Sequence, residues 1–437
     1  MRGGAVRSCA LIVSTMILAT SRTAAAFQAS SAAFRASAPL HRAALSSQAA
    51  HRSPLATGGR VPTAWRRSPA RCFGLGMSAE TASVAKAAEE KPAVKKKVLS
   101  GVQPTGNLHL GNYLGAIRQW VQNQDVYDNH FMVVDLHAIT MPHDPKELKN
   151  TSLQIAALYL AAGIDPTKSK VFIQSHITAH AELTWLLNCV TPMGWMEKMI
   201  QYKEKAKKQG ESVSIGLFDY PILMAADILL YQTELVPVGE DQRQHLELAR
   251  DIARRFNELY CKTKSMPAGG RKVFREPQGL IVKEGARVMS LLDGTSKMSK
   301  SDPADGSRIN LLDTPDEIAK KIKRCKTDAF EGMEWDNPAR PECTNLLNIY
   351  LACSGKTRAD IEAEVKDMRW GDFKPVLADA VVNHLKPIQD RYYELMNDQT
   401  ILKSVLLEGA ESGDVVASQT LGWAKNAMGF TSRADLK

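Results

Sequence analysis

From Val98 onward, short apolar runs alternate with stretches of helical period. Val98-Leu99-Ser100-Gly101-Val102 predicts a strand ending in turn residues. Leu114 to Val121 continues as a helix, and Phe131 to Val134 is a second strand. A helix follows from Pro145, a residue suited to a first helical turn, and Val171 to Ile173 is a third strand. Strand–helix–strand alternation predicts an α/β fold built on a doubly wound parallel sheet covered on both faces. Such sheets take ligands at the carboxyl ends of their strands. Beyond Asp302 the strand signals fade. Asp313-Thr314-Pro315-Asp316 caps a helix reaching about Cys325, and Thr357 to Met368, Pro375 to Met396 and Asp398 to Leu407 read as further helices. The expected division is a catalytic α/β domain over 98–301, an all-helical domain over 302–405, and a C-terminal segment, 406–437. In that last segment an amphipathic helix near 409–429 packs back on the first domain. No internal repeat is visible.

The first 97 residues read as an address rather than a fold. After Arg2 and Arg7, an apolar run from Ala10 to Ala19 is too short for a membrane span. Thr23-Ala24-Ala25-Ala26 then offers a small-residue cut before Phe27, the layout of a signal peptide over 1–26. Residues 27–76 are rich in Ala, Ser and Arg and lack acids, which is transit-peptide composition. Together they resemble the bipartite leader of proteins entering a plastid of secondary origin; a mitochondrion, or both organelles, is the alternative address. Met77 is a candidate internal start, and 77–97 reads as a flexible Ala/Glu/Lys linker.

Charge then changes meaning. The formal net charge is +9, from 56 Lys and Arg against 47 Asp and Glu. Ten of those Arg lie in residues 1–79, where no acid occurs; the other 46 cations face all 47 acids, a net of −1. Bulk charge therefore gives no support for a nucleic-acid partner, and any such contact must come from local patches. The seven Cys (9, 72, 189, 261, 325, 343, 353) include no C-x-x-C pair, so free thiols in a reducing compartment are expected, not a zinc or disulfide framework.

Two motifs carry chemistry. The first runs from Ser100 to Gly115 and includes Gln103-Pro104-Thr105-Gly106 and His109-Leu110-Gly111-Asn112, where strand gives way to helix. Gly106 and Gly111 let backbone approach a ligand, free N–H groups at the helix start favour phosphate, and His109 and Asn112 can donate to phosphoryl oxygens. An ordinary turn and helix cap fits the same residues. The second is Lys297-Met298-Ser299-Lys300-Ser301, after a short strand expected around Val288 to Leu291. Two ammonium groups three residues apart on a Gly/Ser-rich loop suit a triphosphate whose leaving pyrophosphate gathers charge.

A third segment, Tyr220 to Tyr231, is an apolar helix carrying one carboxylate, Asp227. A buried Asp needs a partner, and a core Asp bonded to backbone or Arg is the plain explanation. An indole supplies another, because its only polar group is one N–H donor. Near it, Val236-Pro237-Val238-Gly239-Glu240-Asp241-Gln242 offers Gly239 for close approach of a nucleoside, Asp241 as acceptor for ribose hydroxyls, and Gln242 for an ammonium or carboxylate, with Tyr220 opposite. Helix capping by Glu240 or Asp241 is compatible with this.

The first two motifs resemble the two signatures of class I aminoacyl-tRNA synthetases. Asn112, where the usual signature has a second His, together with Gln103-Pro104-Thr105-Gly106 and the Asp227 helix, looks like the bacterial and organellar tryptophanyl branch. The resemblance spans about Val98 to the C-terminus. It implies a Rossmann-like catalytic domain and a helical anticodon-binding domain. It also implies ATP with Mg2+ as substrate, no protein-bound metal, L-tryptophan and tRNA(Trp) as partners, a homodimer, and no membrane attachment of the mature form. By it, Gln103, His109, Lys297, Lys300 and Ser301 are catalytic. Gln103, Pro104, Thr105, Gly111, Asn112, Gly239, Glu240, Asp241, Val288, Lys297, Met298, Ser299, Lys300 and Ser301 hold ATP, with Lys205 as a further phosphate contact. Tyr220, Met224, Asp227, Val236, Val238, Gln242 and His137 hold tryptophan.

Weaker signals keep two explanations each. The charged loop Lys203 to Lys208 is solvated or phosphate-facing. His137, at the end of the second strand, lies in the pocket or the core. Lys321, Lys323, Arg324 and Lys326 are solvated or touch tRNA backbone. Trp185, Met193, Trp195, Met196 and Met199 form a dimer seam or pack inside. His176 and His180 are four apart, but without the His-Glu-x-x-His pattern no metal site is expected. The rivals are a tyrosyl enzyme, which usually carries Phe-Gly in place of Met-Ser, a non-catalytic paralogue, and a small-molecule adenylyltransferase.

Overall fold

The computed structural model describes residues 94–209, 213–239, 242–280, 287–300 and 302–436, with the backbone alone for 205, 208 and 209. The leader lies outside the described residues, as do Glu240, Asp241 and Ser301 of the expected site. Everything described from residue 94 on falls in one unit, Ala87–Lys437.

Five strands form one sheet: β1 (Lys97–Val102), β2 (Asp128–Val133), β3 (Ser169–Ile173), β4 (Leu235–Pro237) and β5 (Gln278–Leu280), in the order β3-β2-β1-β4-β5. All pairs are parallel, with Val98 opposite both Asn129 and Leu235. Alternation along the strands sends side chains to two separate cores. Phe131, Val133, Val171 and Ile173 join one, and Leu99, Met132 and Phe172 the other.

Helices α1 (110–122), α2 (Asp135–Ala138), α3 (Pro145–Ala161), α4 (Ala179–Asn188), α5 (Met193–Met196), α6 (Ile200–Gln209), α7 (Ile215–Leu230) and α8 (Arg243–Tyr260) belong to the sheet half. Middle residues of α1, Tyr113–Ile117, form a wider π-helical turn. Local chemistry sets several starts. Asp144 accepts from the N–H groups of Lys146 and Glu147 ahead of α3, with Pro145 in its first turn. The rest is helical: α9 (Pro315–Arg324), α10 (Pro341–Ser354), α11 (Arg358–Val365), α12 (Trp370–Asn397) and α13 (Thr400–Ala427). Thr314 and Glu317 cap α9 reciprocally. This helical half shares the first core with α1 and α3, from Leu108 and Ile117 to Leu385 and Leu402. No described helix is long and apolar enough to cross a membrane.

Four expectations need correction. The charge run from Lys203 lies on helix α6, not a loop. His137 sits on the short helix α2, just past the end of β2. Residues 288–291 are not a strand: Met289 and Lys297 make an isolated antiparallel bridge at the base of a turn. And the break expected between 407 and 409 is absent, because Thr400–Ala427 is a single helix.

Two glycines lie inside this helix, buried against its neighbours. A Cβ on Gly409 would lie 1.9 Å from the Val171 carbonyl oxygen, and one on Gly413 2.8 Å from Ile177. Helix α13 therefore lies directly against β3, an edge strand, and covers it. Gly409→Ala should destabilise the protein by about 1–3 kcal/mol, since overpacking of this kind forces backbone shifts. A lower urea midpoint at constant slope is the expected reading; an unchanged midpoint would mean the helix does not sit this close.

Candidate active site

A cavity of about 460 Å³ opens between the carboxyl ends of β1 and β4, where the strand order turns from descending to ascending. Leu99, Val102, Met132, Val134, Met224, Ile228, Val236, Pro237 and Val238 give it apolar walls. Polar side chains reach it at eight positions: Ser100, Gln103, Asn112, His137, Gln201, Tyr220, Asp227 and, at the start of α8, Gln242. Of the expected residues, the cavity lining thus holds Gln103, Asn112, His137, Tyr220, Met224, Asp227, Val236, Val238 and Gln242. Gln201 was not anticipated.

Asp227 is almost fully buried, at 2% exposure, yet it is not solitary. Its Oδ1 accepts from Gln174 Nε2 at 2.7 Å and faces His180 Nδ1 at 2.6 Å; its Oδ2 faces His137 Nε2 at 2.8 Å. Burial pushes its pKa up, but the hydrogen bonds and charge of His137 and His180 outweigh this and hold it below the usual carboxylate range. An ionised carboxylate only accepts, so both imidazole nitrogens facing it must donate. Oδ1 then has two donors and Oδ2 one. The oxygen with acceptor capacity to spare is Oδ2, on a residue at the foot of an apolar cavity.

The same pocket is braced at Tyr220, whose hydroxyl lies 2.8 Å from His245 Nε2 and 3.4 Å from Gln201 Oε1. Its ring meets that of His137 edge-on, with centroids 6.4 Å apart.

At the mouth, the two signature segments pack on one another. The His109 backbone N–H donates to Asn112 Oδ1 at 3.2 Å, and the Asn112 N–H donates to His109 Nδ1 at 3.3 Å. Burial, then the positive charges of Lys300, Arg308 and Lys297, lower the His109 pKa to about 4. His109 is therefore neutral at neutral pH, and because Nδ1 accepts, the ring proton sits on Nε2 as a donor. Segment 108–110 pairs antiparallel with 309–311: the Leu110 N–H donates to the Ile309 carbonyl and the Leu311 N–H to the Leu108 carbonyl, both at 2.8 Å. Arg308, a cation that sequence reading passed over, stands beside that pairing and bonds to the Asn310 side chain and the Asp302 carbonyl. Its signal was its place seven residues after the lysine motif.

In the lysine loop, Met298 is buried in the first core, the Met298 N–H donates to the Val288 carbonyl, and Asp293 caps the turn through Thr295 and Ser296. Val288 itself is buried rather than on the cavity wall. Met298 works as a peg, leaving Lys297 exposed and Lys300 half-buried with Nζ 3.3 Å from the Thr105 carbonyl oxygen. Burial pulls the Lys300 pKa down to about 8. The loop is rooted in the helical half through Asn345, which accepts from the Met289 N–H at 2.9 Å and donates to the Met289 carbonyl at 3.1 Å.

Pro104, Thr105, Gly111 and Gly239 lie near this mouth in the chain but outside the cavity wall, as do Ser299 and the lysines. Lys205 lies on α6, and its side chain is outside the described residues. Among the described residues no three His, Cys, Asp or Glu side chains are grouped to hold a metal ion; His176 is exposed while His180 is fully buried. The α9 basic patch is partly spent internally, with Lys321 paired to Asp305 and Asp313, and Lys326 to Glu342. Met196 and Met199 are buried in the second core, so only Trp185 and Met193 of the expected seam stand well exposed. The five described cysteines are free.

A doubly wound sheet with a histidine–glycine turn, a lysine loop at its mouth and a helical extension is the arrangement of a class I aminoacyl-tRNA synthetase. A family model described as tRNA synthetases class I (W and Y) matches residues 91–386. The chain is 60% identical to a tryptophan–tRNA ligase of Nostoc sp. over 338 residues, covering 77% of this chain and 99% of that protein. It is 56% identical to the chloroplastic/mitochondrial tryptophan–tRNA ligase of Arabidopsis thaliana, covering 79% and 85%. Among solved structures, tryptophanyl-tRNA synthetase of Campylobacter jejuni, complexed with ADP and tryptophan, superimposes with a TM-score of 0.66 at 34% identity, over 76% of this chain and all of that one. The chain belongs to this family of enzymes, in its bacterial and organellar tryptophanyl branch.

One consequence follows for the mouth. A Cβ on Gly111 would meet His109 Nδ1 at 3.0 Å and Met298 Cβ at 3.5 Å. Gly111→Ala should push the His109 ring from its place and raise KM for ATP roughly tenfold or more with the fold intact, since small displacements of positioning groups are costly. An unchanged KM would show that the contact does not position the nucleotide.

Proposed function

We propose that this enzyme activates L-tryptophan with ATP and transfers it to the 3′ end of tRNA(Trp), for translation in an organelle. The observation that carries the amino-acid choice is the Asp227 carboxylate, ionised, held by three donors, with Oδ2 able to take one more at the base of an apolar slot. An indole N–H fits that demand and a phenol would bring a hydroxyl in its place.

Tryptophan lies with its ring between Met224, Val236 and Val238, and its ammonium and carboxylate toward Gln242 and Tyr220. ATP lies across the mouth, near Gln103, Pro104, Thr105, Gly111, Asn112, Gly239 and the Glu240-Asp241 pair. A carboxylate oxygen of tryptophan attacks the α-phosphorus, the bond from that phosphorus to the bridging oxygen breaks, and pyrophosphate leaves. His109 Nε2–H and the ammonium groups of Lys297 and Lys300, with Ser301 and Lys205, stabilise the charge gathered on the leaving group. Magnesium enters as the companion of the triphosphate, which needs no protein cage. A hydroxyl of the terminal tRNA ribose then attacks the acyl carbon and AMP leaves.

Residues 302–405 read the anticodon, with Lys323 and Arg324 of α9 as the remaining backbone-contacting cations. The 406–437 segment packs back on the catalytic half. The enzyme is a homodimer that uses Trp185 and Met193 at its seam. Residues 1–76 direct it to a plastid, with a mitochondrial or dual destination as the alternative. The test is charging. With Mg-ATP the protein should attach tryptophan to bacterial-type tRNA; charging with tyrosine alone would overturn the proposal.

A further inference from the structure

We infer that His180, which does not reach the cavity, is a specificity-positioning residue: it fixes the Asp227 carboxylate so that Oδ2 alone faces the substrate's indole N–H. This rests on the tryptophan reading above.

His180 is fully buried, at 0% exposure. It lies 47 residues from Asp227 in sequence, on α4 rather than α7. Its Nδ1 is 2.6 Å from Asp227 Oδ1 and its Nε2 is 2.8 Å from the Tyr231 hydroxyl. Burial, then the charge of Asp227, pushes the Tyr231 pKa up, so that hydroxyl keeps its proton. Nδ1 donates to the carboxylate, and the Tyr231 hydroxyl holds the ring at Nε2. The ring is thereby pinned at both nitrogens, which keeps the Nδ1–H aimed at Oδ1. Gln174 supplies the second donor to the same oxygen. Its Oε1 in turn accepts the Leu136 N–H at 3.2 Å, so its amide orientation is fixed as well.

The consequence is an asymmetric carboxylate. Among the described residues, Oδ1 faces two protein donors and Oδ2 one, His137. Without His180 the carboxylate can rotate and share its free lone pairs between directions. Binding of a substrate that offers one donor would then suffer, while binding of the same shape without the donor would suffer much less.

The experiment compares kcat/KM for tryptophan with kcat/KM for β-(3-benzothienyl)alanine, an isostere in which sulfur replaces the indole N–H. Both are measured by ATP–pyrophosphate exchange on the full chain. In His180→Leu the ratio should fall about tenfold or more, through tryptophan, with the isostere affected far less. His180→Asn, whose Nδ2–H lies near the lost Nδ1–H, should keep the ratio within about threefold of wild type. Tyr231→Phe removes only the hydroxyl that pins the ring at Nε2, and should lower the ratio by an intermediate factor. Equal loss on both substrates, or an unchanged ratio in His180→Leu and Tyr231→Phe, overturns the inference. If His180→Leu does not fold, Tyr231→Phe against His180→Asn decides it. Wild-type enzyme that does not distinguish the two substrates would instead bring down the reading of Asp227 as the indole acceptor.

Discussion

Asp227→Ala is expected to lower kcat/KM for tryptophan by roughly 10³-fold while leaving ATP affinity nearly unchanged. The size follows from two losses. A hydrogen bond from the indole N–H to a charged acceptor is worth about 1.5–3 kcal/mol, or about 10- to 100-fold. The change also strands the donors of Gln174, His180 and His137, which now converge on an empty space, and such donors repel an incoming N–H as well as failing to receive it. Sites built around one buried hydrogen bond discriminate by about 10⁴–10⁵ against substrates that leave it unmade. Exchange kinetics at varied tryptophan, with ATP binding by calorimetry, checks both halves. Unchanged selectivity for tryptophan would show that the pocket has been misplaced.

The second large effect is on the lysine loop. Lys300→Ala should lower the adenylation rate by roughly 10²–10³, the usual cost of one preorganised donor to developing charge, with little change in tryptophan affinity. Lys300 also makes the rate depend on pH in a definite direction. Burial holds its pKa at about 8, so the ammonium is present below that value and lost as pH rises through it. The kcat/KM for ATP, which reports the free enzyme, should therefore fall on the alkaline side with a midpoint near 8. His109, at about 4, is already neutral throughout that window and contributes nothing to the limb. In the Ala variant the alkaline limb should vanish along with most of the rate. A limb that survives in Lys300→Ala would assign it to another group.

Much of this was legible in the chain because the signals are local. The first three strands are short apolar runs in sequence, and α3 and α9 announce themselves through Asp144-Pro145 and Thr314-Pro315-Glu317. The two signature segments are contiguous, so they could be read with their chemistry. What failed was of another kind. Strands β4 and β5 are three residues each, one carrying Pro237 and the other Gly279, and exist because the sheet pairs them rather than because of their own propensity. The helix end expected at Leu407 was misplaced because sequence cannot show the strand against which Gly409 and Gly413 carry the helix on.

The same distinction divides the site. Asp227 was visible as one carboxylate in an apolar helix, but the groups that hold it come from 53, 47 and 90 residues away. His180 lies three and seven residues before Leu183 and Leu187 on the buried face of α4. That spacing is the signal that a buried His and a buried Asp, each needing a partner, belonged together. Gln201 and His245 gave no such hint, since each sits on a charged amphipathic helix where a polar residue is ordinary.

The site has two parts: the cations of the lysine loop beside Thr105, suited to a triphosphate, and an apolar cavity whose Asp227 carboxylate can accept one more hydrogen bond. ATP–pyrophosphate exchange on the purified enzyme tests both at once, because the reaction runs only when each substrate is bound and aligned. Exchange should appear with tryptophan and stay at background with tyrosine or phenylalanine. Exchange driven by tyrosine and not by tryptophan would mean that the Asp227 slot does not select an indole.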